Sequence, residues 1–185
     1  HEEVIKKTKE YFGGDELAAS AVASKYLLKN ADGNFVESTP DDLHNRLAKE
    51  FARIELKFGG DRALSEEQIY DSLKNFSKII PQASPMYGIG NPYALASLSN
   101  CVVVDSPSDD VSSIMNRGKD LANLFKRRCG VGIDISTLRP SGATVSNSAG
   151  TTTGAWSFAD FYSYVCRMIG QNGRRGALMI SMDIR

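Results

Sequence analysis

Apolar and polar positions change rhythm along this chain, and the changes mark its organisation. Over the first eighty residues apolar side chains recur at helical spacing. A charged helix-like segment opens the chain, Phe12-Gly13-Gly14-Asp15 interrupts it, and residues 16–28 resume it with Leu17, Val22, Tyr26 and Leu27 available for packing. Asp32-Gly33 reads as a turn. Thr39-Pro40-Asp41-Asp42 is a strong helix start: a threonine N-cap, proline at the first helical position and acids in the first turn. Leu43, Leu47, Phe51 and Ile54 then predict one apolar helix face, which Gly59-Gly60 ends. Ser65-Glu66-Glu67-Gln68 is a capping box, and Ile69, Leu73 and Phe76 predict the helix behind it.

From Ile80 the pattern gives way to Pro, Gly, Ser, Asn and aromatic residues. Pro81, Pro85 and Pro92, with Gly88 and Gly90, predict an extended loop without regular helix. Two short β-branched runs follow, Cys101-Val102-Val103-Val104-Asp105 and Val131-Gly132-Ile133-Asp134-Ile135. Between them residues 109–128 have helical spacing, with Ile114, Leu121, Leu124 and Phe125 as the apolar stripe and Lys126-Arg127-Arg128 in the last turn. A Ser/Thr/Asn/Gly loop (141–154), an aromatic-rich helix (154–169), a Gly/Arg loop (170–176) and a third apolar strand (178–184) complete the order. Strands alternating with helices predict parallel βαβ units. The expected architecture is therefore α/β: a helical region over 1–80, then a βαβαβ part over 81–185. Such a sheet leaves an open edge and a bare face, which another polypeptide or the helical region has to cover.

Composition narrows the class. The 185 residues suffice for one ordinary domain, and 22 basic against 22 acidic residues give no electrostatic reason to expect nucleic acid or a membrane surface as partner. No apolar run approaches membrane-span length, and the first residues do not read as a signal peptide. Three cysteines without close pairing argue for a reducing compartment, so the expected location is cytoplasmic.

A few residues stand out chemically. Cys101 heads the first strand after the polar dipeptide Ser99-Asn100, an odd place for a packing residue and a good one for a thiol facing a cavity. Its ordinary reading is a lone buried thiol. Ser84, Asn100 and Gly130 read by themselves as a turn cap, a strand-edge polar residue and a tight strand start. Asp109 and Asp110 read as a helix cap, and Arg139 as a solvated charge. Cys129 and Cys166 read as structural.

Five segments change this picture: Ser-Pro-Met at 84–86, Leu-Ser-Asn-Cys at 98–101, Arg-Arg-Cys-Gly-Val-Gly-Ile-Asp at 127–134, Leu-Arg-Pro-Ser-Gly at 138–142 and Gln-Asn-Gly-Arg-Arg-Gly-Ala-Leu-Met at 171–179. In order and spacing they resemble the catalytic subunit of ribonucleotide reductase, most closely its adenosylcobalamin-dependent branch. The resemblance runs from about Phe12 to the last residue and matches the first part of a much longer protein. It implies the opening strands of a ten-stranded α/β barrel, in a fragment that a downstream polypeptide completes. It implies that Cys101 is one half of a redox pair beneath the substrate ribose, its partner cysteine lying outside this chain. Ser84, Asn100, Gly130, Gln171 and Arg175 are implied substrate contacts. Asp109, Val111 and Arg139 are implied contacts to a deoxynucleotide effector that sets specificity, and Ser146 stands where many relatives carry a second phosphate-binding arginine. The implied radical source is adenosylcobalamin bound mainly outside this chain, or alternatively a metal-containing small subunit; no metal ligands are expected within the chain. A homodimer of the completed unit is implied, and the aromatic density of the helix at 154–169, with Trp156, Phe158, Phe161, Tyr162 and Tyr164, predicts that it and the helix at 109–128 form the subunit contact. The competing expectation is an inactive nucleotide-binding or interaction module.

Overall fold

The computed structural model describes residues 1–170 and 176–184 and divides into two compact units, His1–Leu98 and Ser99–Arg185. The Pro/Gly-rich stretch 81–98 belongs with the first unit.

The first unit is helical. Its elements are α1 (Glu2–Tyr11), α2 (Glu16–Lys25), α3 (Pro40–Phe58), α4 (Glu66–Leu73) and α5 (Ala83–Gly88). The helix starts follow the sequence. The Asp15 carboxylate accepts the Ala18 N–H at 2.9 Å to open α2. Complete capping boxes open α3, between Thr39 and Asp42, and α4, between Ser65 and Gln68. Each satisfies backbone donors that the first turn leaves without intrahelical partners. Leu27, Leu43, Leu47, Ile69 and Leu73 form the core of this unit.

Four expectations are corrected here. The stretch around Pro85 is not wholly extended: Ala83–Gly88 forms a short helix, with Pro85 in its first turn, where a missing N–H costs nothing. Phe76 does not continue α4; it sits in a 3-10 turn after Leu73 at φ 52, beside Asn75 at φ 55. Leu17, Phe51 and Ile54 point outward, leaving Leu43 and Leu47 as the buried part of the stripe on α3. The basic run 126–128 lies just past the helix before it, whose α-helical turns stop at Phe125, and not in its last turn.

The second unit holds β1 (Cys101–Val103), α6 (Val111–Phe125), β2 (Gly130–Asp134), α7 (Ala155–Met168) and β3 (Leu178–Ser181). The three strands are parallel in the order β1-β2-β3, so each crossover carries one helix. The sheet is open rather than closed, as expected for a partial barrel. Register sorts the side chains onto two faces, because alternate residues of a strand point oppositely. Val102, Val131, Ile133, Leu178 and Ile180 pack against Ile114, Leu121 and Phe125 of α6 and Tyr162 and Val165 of α7. The Tyr162 hydroxyl donates to the Ile114 carbonyl at 3.1 Å, joining the two helices. They approach closely at Gly118, where a Cβ would stand 2.6 Å from the Phe161 ring. The opposite face carries Cys101, Val103, Gly130, Gly132, Asp134, Met179 and Ser181. Among the described residues nothing of this unit covers it: Val103 is 83% and Met179 73% exposed.

Candidate functional site

Register puts Cys101 beside Gly130 on the uncovered face. The Asn100 carbonyl accepts the Gly130 N–H at 2.7 Å, and the Ser99 hydroxyl donates to the Cys101 carbonyl at 3.1 Å. Cys101 is an exposed thiol outside any disulfide, whereas Cys129 and Cys166 are buried thiols on the helix side, and Cys129 Sγ donates to the Ser99 carbonyl at 3.7 Å. Cys166 is turned away from reactivity, since burial pushes its thiol above the ordinary range. Gly130 has a reason of its own to be glycine. A Cβ there would stand 3.3 Å from the Asn100 oxygen and 3.4 Å from the Ala177 Cβ, so the flanking chain segments already crowd it.

Sequence reasoning passed over the far end of the same face. There the Asp134 carboxylate accepts the Ser181 hydroxyl at 2.6 Å, the Ser136 hydroxyl at 3.1 Å and the Ser136 N–H at 3.0 Å. The Ser181 bond, followed by the two from Ser136, holds this carboxyl below the usual carboxylate range. A carboxylate at the carboxyl end of a parallel strand, with serine two residues on, was the available signal. Cys101 and Asp134 thus mark opposite ends of one bare sheet face.

A second site lies at the start of α6. The Asp110 carboxylate caps that helix through the Ser113 N–H at 2.8 Å. Its neighbour Asp109 accepts the Arg139 Nε–H at 2.5 Å, and Arg139 Nη1 donates to the Thr144 carbonyl at 2.6 Å. Arg139 is therefore not the solvated charge its residue type suggests; its fork ties the helix start to the loop after β2. That loop folds back on itself through a bridge between Thr144 and Thr151. Together these segments enclose a cleft of about 390 Å³ lined by Asp109, Val111, Arg139, Ser146 and Phe158 among others. All three residues assigned to effector binding meet in this cleft, as does the departing Ser146.

Ser84 is fully buried in α5 of the first unit. Gln171 and Arg175 fall outside the described residues. Among the described residues no cluster of three or more His, Cys, Asp or Glu could hold a metal ion, and no helix is long and apolar enough to cross a membrane.

Residues 99–185, the whole second unit, match the family model for the ribonucleotide reductase barrel domain. Similarity to curated relatives extends further. The chain is 30% identical over 178 residues to a vitamin B12-dependent ribonucleoside-diphosphate reductase of Mycobacterium tuberculosis, covering 92% of this chain and 25% of that protein. It is 28% identical to the ribonucleoside-diphosphate reductase large chain of Neurospora crassa, covering 94% of this chain and 17% of the relative. For the large subunit of Trypanosoma brucei brucei the identity is 25%, over 94% and 20% of the two chains. The chain thus spans a quarter or less of the length of these relatives. Through its second unit the chain belongs to the ribonucleotide reductase barrel-domain family, and along nearly its whole length it is similar to ribonucleoside-diphosphate reductase large chains.

Proposed function

We propose that this chain is the N-terminal part of a ribonucleotide reductase that makes deoxyribonucleotides by thiyl-radical chemistry. The observation that carries the reading is the placement of Cys101: an exposed thiol at the head of a parallel strand, on the sheet face opposite the one that α6 and α7 cover. In net terms two thiols reduce one ribose. The C2′–OH bond breaks, the hydroxyl leaves as water, C2′ gains hydrogen, and the two sulfurs lose their hydrogens and join as a disulfide. Cys101 is one of the two, and the other is supplied by polypeptide outside this chain. An accessible thiol on a face that becomes enclosed suits this role, since access controls exchange with external reductant. An inactive module has no chemical use for that thiol.

The remaining assignments follow the same reading. Residues 1–80 form a helical support and 81–185 the first part of a ten-stranded barrel whose later strands cover the bare face. Ser84, Asn100, Gly130, Gln171 and Arg175 contact substrate. The cleft between Asp109 and Arg139 takes the deoxynucleotide effector: the carboxylate suits a sugar hydroxyl and the guanidinium a phosphate oxygen. Ser146 leaves Arg139 the cleft's chief phosphate donor. The radical source, adenosylcobalamin as in the B12-dependent relative or a metal-containing small subunit, engages residues outside this chain. The completed unit pairs as a homodimer and works in the cytoplasm.

The test is Cys101→Ser in the assembled reductase, with Cys129→Ser and Cys166→Ser as companions. Serine keeps the size but cannot form the disulfide. The Cys101 variant should lose multiple turnovers with dithiol reductant while binding nucleotide normally. The other two should lose only stability, about 1–2 kcal/mol each. Full turnover in the Cys101 variant would remove the residue from the reaction.

A further inference from the structure

The first unit contains a buried ion pair that the proposed chemistry does not use. Glu37 and Arg46 are joined at 2.6 Å between Oε1 and Nε, with side chains only 6% and 9% exposed. The second Glu37 oxygen accepts the Leu28 N–H at 2.7 Å. Arg46 then turns its remaining donors on one short stretch of chain: Nη2 donates to the Met86 carbonyl at 3.0 Å, and Nη1 to the Ile89 carbonyl. One guanidinium thus spans the segment from Leu28 to Glu37, α3 and the end of α5.

The geometry favours positioning over bulk stability. A buried ion pair is a weak stabiliser, because desolvation offsets most of its attraction, and apolar side chains of similar volume serve as well or better. What apolar side chains cannot do is hold two carbonyls in a fixed fork. The recipient needs such help. Helix α5 has six residues, too few to persist by itself, and its last carbonyls have no intrahelical donors. The chain also runs tight over the clamp: at Gly90, with φ +67, a Cβ would stand 2.9 Å from the Arg46 Cγ. Ser84 and Met86, the buried residues of α5, are carried by this clamped turn.

We infer that Arg46, held in place by Glu37, is a positioning residue for substrate binding, acting by fixing the α5 turn and hence Ser84. The inference rests on the reading above that Ser84 contacts substrate. Its test compares Arg46→Lys, Glu37→Gln, Ser84→Ala and the Arg46→Lys/Ser84→Ala pair in the assembled reductase, with cytidine diphosphate as substrate. Lysine keeps the charge for Glu37 but loses the fork. Arg46→Lys should raise KM about tenfold and leave kcat within about twofold, the signature of lost binding rather than lost chemistry. Glu37→Gln should shift KM in the same direction, and it decides the matter alone should the lysine variant not fold. In the double variant the KM effect should stay close to that of the larger single change, because the two residues act through one contact. Unchanged KM in folded Arg46 and Glu37 variants, or effects that multiply fully in the double variant, would overturn the inference while leaving Ser84 in place. An unaffected KM in Ser84→Ala would remove Ser84 from the substrate and take the inference with it.

Discussion

His44 shows how a single residue escapes a pattern. It lies on the buried side of α3, fully shielded, with its ring edge-on to Phe76 at 4.5 Å and no hydrogen-bond partner at either nitrogen among the described residues. Burial lowers its proton affinity, against a smaller opposing pull from Asp41. The unfolded chain therefore binds this proton more readily than the folded one, and stability rises with pH across the transition. The contribution is complete above the ordinary value of 6.5 and declines as pH falls below it. Thermal unfolding followed by circular dichroism between about pH 7.5 and 5 should show this loss, and His44→Phe should flatten it. A slope unchanged by the substitution would assign the pH dependence elsewhere. Cys101 was legible as a candidate because a thiol is conspicuous at a strand head. His44, Glu37 and Arg46 were not, because their roles depend on packing partners up to several tens of residues away.

Elements were legible where local chemistry decides them. The capping boxes at Thr39 and Ser65 and the β-branched runs placed α3, α4, β1 and β2 to within a few residues, because caps and strand patterns act through near neighbours. Thr39→Ala should accordingly cost about 1 kcal/mol, read as a lower midpoint in urea unfolding with unchanged slope. A change within experimental error would mean that the Asp42 side chain, bonded to the Ser38 and Thr39 N–H groups, suffices without the threonine. Where the chain departs from its pattern, a longer-range contact is present. Helix α5 forms in a proline-rich stretch with its Met86 carbonyl, and that of Ile89 just past its end, taken by Arg46. The turn at Asn75 and Phe76 leaves helical geometry with the Asn75 N–H bonded to the Tyr11 hydroxyl at 3.1 Å. Similarly, the cleft between α6 and the loop after β2 exists because Asp109 and Arg139, thirty residues apart, meet. Their spacing alone does not show that they are neighbours.

At the scale of the whole molecule, α7 divides its aromatic residues between two uses. Tyr162 is buried against α6, while Trp156 and Tyr164 face outward at 67% and 59% exposure. The outward pair, with Met115 and Met168 also exposed, suits a contact between copies, where aromatic anchors carry most of the binding energy. Replacing both Trp156 and Tyr164 with serine should weaken self-association of the assembled enzyme about thirtyfold or more by sedimentation equilibrium. An unchanged dimer constant would place the contact elsewhere. The bare sheet face has a different consequence, one of timing and supply. On the reading proposed above, a newly made chain would display Val103, Met179 and two strand edges until further strands covered them, and such edges template the wrong partners as readily as the right one. If the completing strands come on a separate polypeptide, capture competes with self-aggregation, and the outcome turns on the ratio in which the two are synthesised. Overproduction of this chain by itself should then yield insoluble protein, and matched co-expression should rescue it. The selective pressure on such a protein would fall on gene dosage as much as on sequence.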